Sequence, residues 1–107
     1  MDKALTQIQE NLDMIKHHNI DGTEFWSARD LMTTLGYSTW AKFKEVLEKA
    51  KLSCKTTGQE VTNHFAGSGK MVLTGSGAKR TVEDILLTRY TCYLVAQNGT
   101  REKYKLH

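Results

Sequence analysis

Along this chain the apolar positions change their spacing several times, and each change marks a predicted element. Leu5, Ile8, Leu12 and Ile15 recur at intervals of three and four, one face of an amphipathic helix, so residues 1–18 read as a leader helix. Its apolar stripe could dock on the same domain or on a second copy, making a homodimer. Ile20 and the Phe25-Trp26 pair flank Asp21-Gly22, a favoured type I′ turn pair, which predicts a short hairpin. Ser27 stands as an N-cap with Asp30 three residues on. Ala28, Leu31 and Leu35 then share a face ahead of Gly36, giving a helix over residues 28–35. A second helix begins near Thr39 and turns Trp40, Phe43, Leu47 and Ala50 inward over residues 39–51.

Residues 52–69 read as a polar connector with one short element at residues 61–65. Residues 71–74 form a short strand, Gly75-Ser76-Gly77 a turn and residues 78–80 a returning arm, a second hairpin. Residues 81–99 read as the central core helix. Arg89 is the one charge between Ile85 and Thr100, Thr81 and Asp84 make a capping box with Asp for Glu, and Asn98-Gly99 supplies a left-handed stop. The expected fold class is α+β: a small single domain with a buried central C-terminal helix, a helix-turn-helix-like helix pair and two short β-hairpins. Residues 19–99 are its body and residues 100–107 a basic tail.

Charge sharpens this picture. The net value is only +3, but residues 1–24 hold five acids against Lys3 and Lys16, a local −3. Residues 40–55 hold Lys42, Lys44, Lys49, Lys51 and Lys55 against Glu45 and Glu48, and residues 70–80 hold Lys70, Lys79 and Arg80 with no acid. An acidic leader ahead of basic segments points to a polyanionic partner. The N-terminus is too polar for a signal peptide, and no apolar run approaches the roughly 20 residues of a membrane span. Cys54 and Cys92 lie outside any CxxC pair, so two free thiols in a reducing cytosol, with the protein on the nucleoid, are expected.

Two helices joined by a short Gly-containing turn form the pattern of a helix-turn-helix, or of a plain helical hairpin with no function. In the first case the start of the second helix, Ser38, Thr39 and Lys42 with Lys44 and Lys49 behind, faces DNA. The second hairpin adds Lys70, Lys79 and Arg80 beside a glycine turn, placed for phosphates; lysines on an edge strand also serve simply to prevent aggregation. Gly67-Ser68-Gly69-Lys70 is no P-loop, since His64 replaces the first glycine and Met71 follows the lysine. His17, His18, His64 and His107 sit in polar or terminal stretches without metal-ligand spacing. Cys54 among lysines could be an activated thiol or an ordinary one. No nucleophile–base set, metal site or cofactor is expected.

Three blocks carry a resemblance. Trp26-Ser27-Ala28-Arg29, Leu35-Gly36-Tyr37 before an aromatic helix, and Arg89-Tyr90, Tyr93-Leu94 and Gln97-Asn98-Gly99 occur in fixed order. Residues 22–99 thereby resemble the N-terminal domain of the bacterial DNA-damage-inducible protein D family, related to the Bro-N domain of viral Bro proteins and phage antirepressors. The resemblance implies a non-catalytic, DNA-associated α+β domain of a bacterial or phage damage-response (SOS) or regulatory protein. It also implies recombination machinery as an alternative partner, the chain then being a protein-interaction module. Members of that family continue from Asn-Gly into Asp-Pro and a further long helix, so a domain excerpt or a shortened relative is expected here.

Overall fold

A computed structural model describes residues 3–99. In chain order the elements are α1 (Lys3–Ile15), β1 (His17–His18), β2 (Glu24–Ser27), α2 (Ala28–Thr34), α3 (Trp40–Thr56), α4 (Val61–His64), β3 (Phe65–Leu73), β4 (Lys79–Leu87) and α5 (Arg89–Gly99). The strands form one antiparallel sheet in the order β1-β2-β4-β3. This is an α+β architecture, with helices packed on one sheet.

Local chemistry explains most element boundaries. The Ser27 side chain caps α2 by accepting from the Asp30 amide, and Thr39 caps α3 by accepting from that of Lys42. Gly36, at φ +87°, ends α2 in a Schellman turn: the Tyr37 amide reaches the Met32 carbonyl and the Gly36 amide that of Thr33. Gly58, at φ +83°, repeats the arrangement after α3. Both hairpins share one turn. In the first, the Gly22 amide bonds the Asn19 carbonyl and the Asn19 amide that of Thr23; in the second, Gly77 to Thr74 and Thr74 to Ala78 do the same. These are three-residue loops in which the glycine takes the left-handed position of a bulge. Asp21-Gly22 therefore does not form the expected two-residue type I′ turn.

The largest departure concerns residues 81–99. Residues 81–87 are not helical: they belong to β4, paired along its full length with β3, Leu87 opposite Phe65 and Lys79 opposite Leu73. A run such as Ile85-Leu86-Leu87 satisfies either a buried helix or a buried strand, and pairing with a distant segment decides. Thr88, not Thr81, starts the helix, its hydroxyl accepting from the Thr91 amide. The second hairpin is accordingly long, nine residues a side, and α3 and β3 absorb most of the expected connector. The expected stop at Asn98-Gly99 falls at the edge of the described residues, and the tail of residues 100–107 lies outside them.

The core forms between the helices and one face of the sheet. Trp26, Leu31, Phe43, Leu47, Leu87, Cys92 and Val95 are essentially inaccessible, and Ile8 and Leu12 of α1 join them. The indole Nε1 of Trp26 donates to the Leu12 carbonyl at 2.8 Å, so α1 docks on its own domain. Arg89, the lone charge of the apolar stretch, straps α5 to the leader. Its Nε lies 2.8 Å from Glu24, Nη2 lies 3.6 Å from Asp13, and the guanidinium sits 5.0 Å above the Trp26 ring.

Candidate nucleic-acid interface

Strand β2 ends at Ser27, where the chain turns into α2, so α2 occupies the flank of β4 that a longer β2 would have paired. Beyond that point β3 and β4 continue alone, and residues 69–82 form a two-stranded arm closed by Gly75-Ser76-Gly77. The molecule measures 45 × 28 × 26 Å, with a radius of gyration of 14.2 Å against about 13 Å for a compact chain of this length. From Glu83 to Lys79 the arm extends about 13 Å.

Three carboxylates fix the root of the arm. Asp84, 3% exposed, accepts from the Ser27 hydroxyl at 2.5 Å, from the Arg29 amide at 3.1 Å and from the Ile85 amide at 2.8 Å. It thereby satisfies a first-turn amide of α2 from a strand, while Ser27 satisfies another from within the helix. On the α3 side, Glu83 receives Lys44 at 3.0 Å and the Trp40 indole at 3.2 Å. Lys44, aided by Trp40, holds the Glu83 carboxyl below the usual carboxylate range. The Arg29 guanidinium donates to the Glu83 carbonyl and stacks 4.3 Å above the Trp40 ring. On the opposite face Asp30 binds Lys70, and His17 at 3.2 Å. Burial pushes Asp30 up, but the Lys70 and His17 bonds outweigh it and the carboxyl also stands below its usual range.

The eight expected contact residues divide accordingly. Ser38, Thr39 and Lys42 are exposed at the front of α3, next to the Trp40–Glu83 contact and hence to the root of the arm. Lys79 and Arg80 are exposed near the tip. Among the described residues, Lys42, Lys49, Lys79 and Arg80 enter no ion pair, whereas Lys44 and Lys70 are tied to Glu83 and Asp30. Lys42 and Lys49 lie about 160° round α3 from Lys44 and Lys51, the flank that meets the sheet, and Lys49, about two turns further from the helix front, stands apart from the arm. Two acids of the leader are taken up elsewhere: Asp13 pairs with Lys16 and Arg89, and Glu24 with Arg89. Arg29 escaped sequence reasoning, though it lies in one of the family blocks. Asp84 was seen only as a capping residue.

Other candidate chemistry resolves into structure. Cys54 points into the core, with its Sγ 3.9 Å from the Gln59 carbonyl, and is not a surface thiol. Both cysteines are free, and burial pushes the Cys92 thiol up. His64 lies 2.7 Å from the Thr88 hydroxyl and 4.8 Å from the Tyr90 ring. His17 stacks on Phe25 and His18 is exposed; His107 lies outside the described residues. Among the described residues no three His, Cys, Asp or Glu side chains gather to hold a metal, and no helix is long and apolar enough to cross a membrane. A cleft of about 320 Å³ beside the arm root is lined by Phe25, Leu86 and the Asp30–Lys70–His17 group.

Residues that carry the family resemblance hold this framework: Trp26 and Ser27 on α1 and Asp84, Gly36 at a helix end, Arg89 on Glu24. Over 99 residues the chain is 43% identical to the DNA damage-inducible protein D of Escherichia coli (strain K12), covering 92% of this chain and 36% of that protein. It thus spans about a third of the length of that curated relative. No solved structure matches at a significant level. Residues 14–106 match the description BRO family, N-terminal domain, and with nearly the whole chain covered, this protein belongs to the Bro-N family.

Proposed function

We propose that the chain is a DNA-binding module of a bacterial or phage damage-response or regulatory protein, acting without catalysis or cofactor. One observation carries the reading: an arm that projects past the core holds Lys70, Lys79 and Arg80 and no carboxylate over residues 69–82, beside the exposed start of α3. Folding gains little from gathering like charges on a protruding ribbon, whereas a phosphate backbone rewards it through counterion release. Ser38, Thr39 and Lys42 sit where a helix front approaches the same duplex. Carboxylates claim Lys44 and Lys70, which support the site's geometry more than its charge. The name of the relative and the Bro-N family both agree with this setting.

A titration by fluorescence anisotropy across salt concentrations tests the reading. With Lys42, Lys79 and Arg80 each neutralising one phosphate, the slope of log K against log salt is roughly −2.7 on duplex DNA. Affinity then falls about 40-fold between 50 and 200 mM salt. Replacing Lys79 and Arg80 by Ala flattens the slope by roughly 1.8 and weakens binding alike on all sequences. Unchanged binding in that double variant removes the arm from the mechanism. A second reading, a module that contacts recombination or regulatory proteins, draws on β3 being an edge strand of the sheet. Absence of any DNA binding at about 20 mM salt would favour it.

A further inference from the structure

Met71 and Leu73 are 60% and 72% exposed on β3, an edge strand where charged side chains are the usual defence against pairing. Both stand on one face of the arm, opposite Thr81 and Lys79. Strand alternation makes this the face whose root carries Glu83 with Trp40 and Lys44. An apolar pair with Lys79 beside it thus faces the side on which α3 begins, while Arg80, opposite Val72, stands on the other face.

Resting on the DNA reading above, we propose that this face of the arm lies in the major groove of duplex DNA. Met71 and Leu73 pack against base edges, thymine methyl groups above all, while Lys79 on the same face and Arg80 on the other reach the phosphates along the groove walls. The arm's charge is complementary to a polyanion, since residues 69–82 contain no acid and, with Lys70 held by Asp30, still present Lys79 and Arg80 outside any ion pair among the described residues. A two-stranded ribbon fits a groove roughly 12 Å wide, whereas the minor groove, at roughly 6 Å, would have to be forced open. Apolar contacts displace no counterions, so they add affinity and base preference without adding salt dependence.

The test compares the intact chain with Met71→Ala/Leu73→Ala and, as a second variant, Met71→Gln/Leu73→Gln. Both sites are largely solvent-exposed, and near-UV circular dichroism checks that folding is retained. Binding is measured on a thymine-rich duplex and on the same duplex with uracil, which lacks the methyl group. The double variants should bind the thymine duplex about tenfold more weakly, about 1.4 kcal/mol, with the slope against salt unchanged. Wild type should lose several-fold on the uracil duplex and the variants should not distinguish the two. Methyl green, a major-groove ligand, should compete; netropsin, a minor-groove ligand, should not. Wild-type binding with the expected salt slope but no effect of either variant overturns the groove contact and leaves the DNA reading standing. Displacement by netropsin, or a dimer that disperses in the variants while DNA affinity holds, overturns it as well. No binding of wild type to any duplex at low salt overturns the DNA reading itself.

Discussion

Removing the Asp84 carboxylate should cost this domain a large part of its stability, although the residue touches no candidate DNA contact. Asp84→Ala deletes two bonds between distant parts of the chain, to the Ser27 hydroxyl and the Arg29 amide, and one to its neighbour Ile85. Bonds to a charged acceptor are worth about 1.5–3 kcal/mol each, and an orphaned buried amide costs about 1–3 kcal/mol. Because both cross-chain bonds hold the same helix start, their losses overlap, and about 3–4 kcal/mol is a reasonable total. Domains of this size are stable by about 5–15 kcal/mol, so the variant should still fold in the cold while its Tm falls by roughly 12–30 °C. Asp84→Asn keeps one carbonyl oxygen for the Arg29 amide and should lose about 1–1.5 kcal/mol.

Urea titrations followed by far-UV circular dichroism measure both variants against wild type. The result discriminates between two structures. An Asp84 in the first turn of a long helix would act only as an exposed helix-end charge, worth about 0.3–1 kcal/mol, and its removal would lower helix content. An Asp84 that bolts α2 onto β4 gives the larger loss, with helix content intact below the transition. A loss under about 1 kcal/mol for Asp84→Ala, or Asp84→Asn as damaging as Asp84→Ala, would refute the reasoning.

Other tests follow from particular contacts. Arg89 beside Glu24, and Lys44 beside Glu83, hold those carboxyls below their ordinary values; at Asp30 burial works the other way, but Lys70 and His17 more than offset it. Carboxyls lowered on folding contribute stability above their unfolded values and lose it as pH falls through the folded ones. A melting temperature flat near neutrality should therefore drop on acidification below about pH 4, and a drop beginning above pH 6 would contradict these pairs. Gly36→Ala forces a side chain into the left-handed region that closes α2 and should lose about 1–2 kcal/mol by denaturant titration, against near neutrality if the turn relaxes. Native Cys54 and Cys92 should resist a thiol reagent and react only as fast as the domain opens; rapid labelling of either in folded protein would contradict their burial.

How much was legible follows from the distance between partners. Caps and turns were readable because donor and acceptor lie a few residues apart: Ser27 with Asp30, Thr39 with Lys42, glycines at Gly22, Gly36 and Gly77. Amphipathic spacing likewise identified α1, α2 and α3 and which of their faces go inward, since helical geometry puts residues three and four apart on one side. Basic segments were visible as composition, and so was the arm's lack of acids. What the chain alone could not specify was the state of residues 81–87. A run apolar on every side suits a buried helix or a buried strand, and only its pairing with residues 65–73 selects the strand. The same distance hid the carboxylate partners, 57 residues apart for Ser27 and Asp84, 40 for Asp30 and Lys70. Sequence by itself thus determined the local turns, the helix faces and the supply of charge. Tertiary structure decided which cations the protein's own acids claim and which are left outside any ion pair on the arm, because electrostatic pairing depends on distance in space and not along the chain.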